Sequence, residues 1–368
     1  MEGTQDEEDN GMNGKRRYIY MDVLRIIACL CVIYDHVNEY GYFMFAAREI
    51  GSLQYFAELF ASIQCKLAVP VFFAISGALM LDREVSWKKL WLERIPRIAL
   101  VLLVFSAIYY GAAVHAGKAE AGFKTFVFGL YEHGWGYSLW YLYAYLAFLI
   151  ALPVLAPMAR ALDHRTMGYL FAAALSFRCL IPGFEALYWQ GAHKLHPDFN
   201  LAFLTCDIVL FPLMGYYLHC RVQKRTLRRI FPVLCVASVL LTSLSCYMTY
   251  RDYYKTWVAH TQTYHNLFAP VLSAAVFSGA RLLFDGIRED SRPGRVLAEI
   301  GKCSFGVYLI HLLVAERFHG LFGLFEWMGG TGVLPLLGSL LYCSCIMLLC
   351  LIPIFILRRI PIIRRLIS

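Results

Sequence analysis

Long apolar runs, separated by short polar or charged segments, dominate the pattern along the chain. A bilayer core requires about 20 mostly apolar residues per helix, within a range of about 17–25. The fifth of the runs that meet this criterion carries Arg178 and the ninth is short. The pattern predicts an all-α, polytopic bundle of about ten membrane-spanning helices, with approximate limits at 18–40, 55–81, 97–116, 138–158, 167–182, 199–219, 230–250, 263–283, 303–318 and 332–357.

The basic residues predict how the chain crosses the bilayer. With the N-terminus in the cytoplasm, the predicted inner segments hold 24 of the 34 Lys and Arg residues and the outer segments hold seven. Cytoplasmic loops of membrane proteins carry such an excess. An even number of spans then places both termini in the cytoplasm. We expect residues 1–17 to form a disordered acidic tail, 18–357 the membrane-embedded domain and 358–368 a short basic tail.

Composition excludes several classes of protein. The chain is 59% hydrophobic and 16% charged, whereas soluble domains average about 45–50% and about 25%. The net charge of +8 comes from short clusters between apolar runs, so the expected partner is the lipid bilayer and not nucleic acid. The 12 cysteines are scattered, mostly inside apolar runs. Their spacing gives no zinc pattern, and we expect no metal.

The first predicted span carries ionisable residues at two depths. Arg25 and His36 are eleven residues apart, which on a helix is three turns plus about 20°, so they share a face and lie about 16 Å apart. Asp22 is three residues before Arg25 and within pairing range. Charged groups in a bilayer usually face a bundle interior or a wet cavity. The alternative is an arginine that snorkels to the surface and an interfacial histidine.

The outer end of this span offers proton-transfer chemistry. Imidazole titrates near neutral pH, which suits His36 to general acid–base work. Asp35 points about 100° away on the helix and is a poor candidate to orient His36. The predicted outer loops are rich in Tyr, Trp and His. Their rings either anchor the protein at the interface or stack on sugar faces in a carbohydrate-binding cleft.

Several motifs match one known family in its order, over residues 18–320. The first span contains Arg-x10-His. Later motifs are "VPVFFAISGALM", "LERIPRIAL", "SLWYLYAYLAFLIALPVLAPM", "FPLMGYYLH" and "IGKCSFGVYLIHLLVAE". With these motifs the chain resembles the bacterial membrane-bound acyltransferase 3 family.

The resemblance implies an integral enzyme of the bacterial cytoplasmic (inner) membrane. Such enzymes move an acyl group, usually acetyl, from cytoplasmic acetyl-CoA to a hydroxyl of a carbohydrate acceptor. The acceptor would be a cell-envelope polysaccharide or a lipid-linked glycan. His36 would act as general base or as transient acyl carrier, together with Arg25 and Asp22.

Three residues are candidates for binding the acyl donor. Arg94 and Arg97 lie where a cytoplasmic loop enters the third predicted span, and arginine binds phosphate groups through two parallel hydrogen bonds. Ordinary positive-inside anchoring is the alternative. Ser76 precedes Gly77 within an apolar helix. It either contacts the donor or belongs to a stripe of small residues that lets helices approach closely.

Four residues are candidates for the acceptor side. His311 and Tyr308 lie on the ninth predicted span, and His311 should be close in depth to His36. It either shares acceptor binding or proton movement with His36, or simply packs. Trp140 and Tyr141 begin the fourth span; they either wall the acceptor site or anchor the helix.

Two departures from the family limit the inference. Many relatives carry an extracytoplasmic SGNH hydrolase-like domain, whereas this sequence shows none. Ser138 occupies the position of a family histidine, so that histidine's role does not carry over. A secondary transporter that uses Arg25 and His36 as pathway residues is the alternative function, although no inverted repeat supports it. A non-catalytic membrane partner is the third. The sequence leaves acceptor, acyl length and oligomeric state open.

Overall fold

The computed structural model describes residues 17–190, 192–256, 264–324 and 334–367, so the predicted N-terminal tail lies outside the described residues except for Arg17. All regular structure within these ranges is helical. The α-helices are α1 (Ile19–His36), α2 (Leu53–Cys65), α3 (Ala68–Met80), α4 (Trp87–Lys89), α5 (Ile95–His115), α6 (Phe123–Glu132), α7 (Trp140–Ala161), α8 (His164–Leu175), α9 (Ile181–Phe184), α10 (Ala202–Thr205), α11 (Asp207–Tyr216), α12 (Lys224–Thr256), α13 (Ala269–Phe284), α14 (Arg292–Arg317), α15 (Leu334–Leu357) and α16 (Pro361–Ile367).

Four π-helical turns extend or join these helices. Such turns widen a helix locally and are frequent at functional sites. They lie at Leu90–Arg94, Ser176–Leu180, Glu185–Trp189 and Tyr217–Arg221. The first joins α4 to α5, so that it carries the candidate Arg94 into the helix that holds Arg97.

Within the described residues, seven helical stretches are long and apolar enough to cross a membrane: Leu53–Met80, Trp87–His115, Tyr137–Ala161, His164–Trp189, Lys224–Asp252, Arg292–Arg317 and Leu334–Leu357. They coincide with seven of the predicted spans. The other three predicted spans correspond to α1, which carries three charged residues, to α11 with its π-turn, and to α13, which is apolar but has 16 residues. The protein is an all-α, polytopic membrane bundle. The count of ten and the side of each terminus stay predictions.

Helix α1 lies at the centre of the bundle. It packs against α2, α3, α13, α14 and α15, and its Tyr20, Leu24 and Ala28 have no exposed surface. In contrast, α5 and α12 expose rows of large apolar side chains, among them Leu103 and Val236. Those rows suit contact with lipid tails, whereas the polar residues of α1 face protein.

Two glycines allow α3 and α11 to cross at backbone contact. A Cβ atom on Gly77 would overlap the backbone of Pro212, and one on Gly215 would overlap the backbone of Ala74. Small residues permit such close approach between membrane helices. The packing role considered for the Ser76–Gly77 pair therefore applies to Gly77.

Side-chain caps fix where several helices begin. Ser52 accepts a hydrogen bond from the backbone N–H of Tyr55 at 3.1 Å, and Asp163 accepts one from Thr166 at 2.8 Å. The bond from the Thr166 backbone lowers the pKa of Asp163. An N-cap of this kind satisfies one of the unpaired N–H groups of a first helical turn. The caps set the register of α2 and α8 at the membrane boundary.

Candidate active site

The carboxylate of Asp22 is completely buried and held by two arginines. It accepts a hydrogen bond from Arg25 at 2.8 Å, and from Nε of Arg17 at 2.7 Å. Arg17 also donates to the backbone carbonyl of Ala298 on α14 at 3.1 Å. A buried carboxylate requires such pairing. The spacing of α1 predicts the bond to Arg25, but Arg17 precedes the helix and escaped that prediction.

A glycine on α14 makes room for this carboxylate. A Cβ atom on Gly301 would lie 2.6 Å from Cβ of Asp22. Helices α1 and α14 therefore approach closely where the ion pairs lie. The contact continues along the helices, where the thiol of Cys29 donates to the carbonyl of Ser304 at 3.4 Å.

Arg25 lines a cavity of about 240 Å³ between α1, α3, α5, α7 and α14, here called the arginine cavity. It brings together five of the predicted site residues: Arg25, Ser76, Arg97, Tyr141 and Tyr308. Tyr145, which the sequence analysis missed, also lines it. The hydroxyl of Ser76 donates to the carbonyl of Phe72 at 2.9 Å.

A second cavity, of about 460 Å³ and here called the entrance groove, joins the arginine cavity. Arg97 and Tyr145 line both cavities. Arg94 lines the entrance groove but not the arginine cavity. Arg94 ends the π-turn, and Pro96 follows in the first turn of α5. Both predicted arginines therefore lie along one continuous path that leads to Arg25.

His36 and His311 form a hydrogen-bonded pair. Nε2 of His311 lies 3.0 Å from Nδ1 of His36, and Nδ1 of His311 lies 2.6 Å from the carbonyl oxygen of Tyr308. A carbonyl only accepts, so Nδ1 of neutral His311 carries the proton and its Nε2 accepts. His36 must then donate from Nδ1. Its Nε2 is the nitrogen that keeps a lone pair for chemistry.

His36 lines a third cavity, of about 770 Å³ and here called the histidine cavity. Its wall includes five aromatic residues: Tyr40, Tyr109, Trp135, Tyr137 and Tyr342. The ring of Tyr137 meets that of His36 edge-on, with 5.0 Å between centroids. Trp140 is 47% exposed and is absent from the linings of these three cavities. Tyr141 lines the arginine cavity instead.

One layer of side chains separates the arginine and histidine cavities. Tyr308 lines the first cavity, and its hydroxyl donates to the carbonyl of Ser138 at 2.5 Å. The carbonyl of the same residue accepts from His311, which contacts His36 in the wall of the second cavity. We call Tyr308, His311 and His36 the dividing layer.

A cation and a third histidine lie beside the C-terminal end of α1. Lys66 pairs with Asp35 at 2.6 Å, and its ammonium lies 3.9 Å from the ring centroid of Tyr42. The hydroxyl of Tyr42 bonds to Nδ1 of the buried His265. The partner of Asp35 is thus Lys66, which agrees with the prediction that Asp35 does not orient His36. Sequence reasoning missed Lys66 and His265 because they come from distant parts of the chain, the turn between α2 and α3 and the turn before α13.

The described residues contain no group of three or more His, Cys, Asp and Glu side chains that could hold a metal ion. The chemistry that these residues offer is that of imidazole, guanidinium and phenol groups. A neutral imidazole with a lone pair can take a proton or an acyl group. Guanidinium groups along a cavity can bind phosphate or carboxylate groups.

Comparison with known proteins identifies the family. The family model described as an acyltransferase domain, that of the acyltransferase 3 family, matches residues 18–356. No curated protein and no solved structure matches the chain. The family match covers α1 to α14 and all but the last residue of α15. The chain therefore belongs to the acyltransferase 3 family and is a membrane acyltransferase.

Proposed function

We propose that the protein is an O-acyltransferase. It moves an acyl group, most simply acetyl, from cytoplasmic acyl-CoA to a hydroxyl of an extracytoplasmic carbohydrate or lipid-linked glycan. The observation that carries the proposal is the dividing layer: the arginine and histidine cavities end on its two sides. Donor and acceptor can therefore approach His36 from opposite faces of the membrane without either one crossing it.

The donor side is suited to a long ligand with an anionic end. CoA carries phosphates and cannot cross a bilayer, so it must be bound from the cytoplasm. Arg94 and Arg97 line the entrance groove, and Arg97 continues into the narrower arginine cavity. The phosphates bind the arginines, and the uncharged pantetheine arm extends along Ser76 and Tyr141.

Arg25 binds the arm and not the reacting carbonyl. It lies about 16 Å from His36 along α1, too far to touch a thioester that contacts His36. Its guanidinium is fixed by the buried Asp22 at 2.8 Å, so it presents a preorganised donor to the amide oxygens of the arm. For the thioester to reach His36, the hydroxyl of Tyr308 must release the carbonyl of Ser138.

His36 completes the transfer by one of two routes. As nucleophile, Nε2 attacks the thioester carbon, the C–S bond breaks, and the CoA thiolate leaves. The acceptor hydroxyl then attacks the acyl-imidazole, the bond from Nε2 to the acyl carbon breaks, and the hydroxyl proton passes to the thiolate, which leaves Nε2 with its lone pair. As general base, Nε2 takes the proton of the acceptor hydroxyl while the oxygen attacks the thioester directly; the C–S bond breaks, and the CoA thiolate leaves and takes that proton from Nε2. In both routes His311 accepts from Nδ1 and holds the ring.

The acceptor side is suited to a sugar. Aromatic rings have apolar faces on which the C–H faces of a pyranose stack, and Tyr137, Trp135 and Tyr40 supply three such rings in the wall beside His36. Lys118 and Glu316 form an ion pair at 2.8 Å in the same wall. They offer hydrogen-bond partners for hydroxyls that are not being acylated.

The test follows label from donor to acceptor. Purified protein in nanodiscs is incubated with radiolabelled acetyl-CoA and a crude cell-envelope glycan fraction, with His36→Ala and Arg25→Ala as variants. We expect CoA release and labelled glycan with wild type, neither with His36→Ala, and a reduced amount of both with Arg25→Ala when acetyl-CoA is kept below its KM. Folded wild type that releases no CoA with a broad panel of acceptors would contradict the proposal and favour transport.

A further inference from the structure

A large basic cavity lies at the predicted cytoplasmic end of the bundle. It has a volume of about 1080 Å³ and is here called the basic vestibule. Among the described residues that line it, seven are cationic, namely Arg17, Arg94, Arg97, Lys302, Arg358, Arg364 and Arg365, and one is acidic, namely Glu93. Such an excess of one charge in a concave site favours a polyanionic ligand.

Helix α16 forms one wall of this vestibule. Pro361 begins the helix, and Ile363, Leu366 and Ile367 then follow at helical spacing and pack into the core, Ile367 being 3% exposed. The helix packs against α5 and α14. Its apolar face is therefore covered, and its arginines lie at the vestibule.

The cations of the vestibule differ in how they are balanced. Lys302 pairs with Glu299 at 2.6 Å, and Arg358 lies 3.6 Å from the same carboxylate. Among the described residues, no carboxylate forms an ion pair with Arg364 or Arg365. In the described part of the chain, these two positive charges share with Arg94 the lack of a carboxylate partner.

The vestibule is continuous with the path to the dividing layer. Arg94 and Arg97 line both the vestibule and the entrance groove, and Arg97 also lines the arginine cavity. The cavities thus narrow from about 1080 Å³ to about 240 Å³. A ligand with a broad anionic head and a thin uncharged arm fits this sequence of volumes, whereas a lipid headgroup would leave the arginine cavity unused.

We propose that α16 supplies part of the binding site for the nucleotide end of CoA. Arg364 and Arg365 bind the 3′-phosphate and the diphosphate of the 3′-phosphorylated adenosine diphosphate, opposite Arg94 and Arg97. The assignment rests on the proposed function, because it takes CoA as the donor. The basic residues of α16 would then bind a ligand, in addition to helping to set the orientation of the chain in the membrane.

The experiment measures binding, with the full chain in nanodiscs of phosphatidylcholine. The ligands are CoA, 3′-dephospho-CoA and pantetheine. The variant Arg364→Gln with Arg365→Gln is compared with a matched control, Arg228→Gln with Arg229→Gln, which changes an adjacent arginine pair on α12. A third pair, Arg364→Lys with Arg365→Lys, keeps charge but loses the two-bond geometry.

We expect the Gln variant to weaken CoA binding about 10–100-fold, since charge-assisted hydrogen bonds are lost. Pantetheine binding should be unchanged, the lysine variant should be intermediate, and the α12 control should match wild type. The loss should be smaller for 3′-dephospho-CoA. These results together would support the assignment.

Two outcomes would overturn it. Wild type that binds CoA while the Gln variant binds it within twofold would remove α16 from the site and leave the proposed donor standing. If that variant instead retains less phosphatidylglycerol than wild type when both are purified from nanodiscs that contain this lipid, the ligand of α16 is a lipid headgroup. Wild type that binds no CoA would contradict the proposed function itself.

Discussion

The arginine cavity and the histidine cavity share a wall but are built from different chemistry. The first has about 240 Å³ and contains Arg25, fixed by a fully buried carboxylate. The second has about 770 Å³ and is lined by aromatic rings around His36. Fixed charges define one ligand closely, whereas flat rings accept ligands that differ in detail. The difference suits the proposed function, in which one donor serves acceptors that differ in detail.

Removing the imidazole of His36, which lies between the two cavities, should have the largest effect because it stops transfer from one cavity to the other. We expect His36→Ala to lower acyl transfer at least about 10³-fold, because no other imidazole of the dividing layer faces the acceptor. Donor binding should remain, since the arginine cavity is intact. Isothermal titration with CoA beside the transfer assay measures both. The matched control is His133→Ala, on the exposed end of α6; transfer that survives His36→Ala would remove the residue from the chemistry.

Removing the positive charge of the arginine cavity should weaken binding of the donor and leave binding of the acceptor unchanged. We expect Arg25→Ala to raise KM for acyl-CoA about 10–100-fold and to leave KM for the acceptor unchanged. Stability should change little because Arg17 still pairs with Asp22 at 2.7 Å. Steady-state kinetics and thermal unfolding separate the two effects. Arg25→Lys should recover part of the affinity; an equal rise in both KM values would argue against separate cavities.

Changing His311, the hydrogen-bond partner of His36, should affect the chemical step without affecting binding in either cavity. We expect His311→Ala to reduce kcat about 10-fold to 100-fold without changing either KM, because His36 would lose the acceptor that fixes its tautomer. His311→Gln places an amide oxygen near the former Nε2 and should restore part of kcat. The kcat–pH profile of each variant is the readout. If both variants unfold or alter KM alone, His311 has only a packing role.

Weakening one ring of the histidine cavity should give the smallest effect. We expect Tyr137→Ala to raise KM for a carbohydrate acceptor about fivefold to tenfold, the loss of one stacking surface, with KM for acyl-CoA unchanged. Tyr137→Phe should behave as wild type because the ring is retained. Kinetics with a series of acceptors would test this. A loss in the Phe variant equal to that in Ala would assign the effect to the hydroxyl.

Sequence periodicity predicted relations within a helix and depth across the bundle. The pairing of Asp22 with Arg25 follows from their spacing, and the approach of His311 to His36 follows from their predicted depth. Periodicity could not identify which helices are neighbours. Tyr141, predicted beside Trp140, therefore lies in a different cavity from the one its depth suggested.

The sequence also did not predict contacts between segments that are distant along the chain. Arg17 lies outside any helix and reaches Asp22 and Ala298 through the turn before α1. Lys66 finds Asp35 only because α2 ends beside the outer end of α1. The arginines of α16 form a site only when α16 packs against α14 and α5. Each depends on tertiary packing that no local pattern encodes.

The central place of α1 has a consequence for biosynthesis. This helix is synthesised before three of its main partners, α13, α14 and α15, and Cys29 cannot bind the carbonyl of Ser304 until α14 has been made. Until then Asp22 is not covered by α14 and faces the bilayer, which is energetically costly for a carboxylate. Nascent chains that stop before α14 should be clients of membrane chaperones and proteases. Stable insertion of α1 therefore depends on synthesis of the chain from α14 onward.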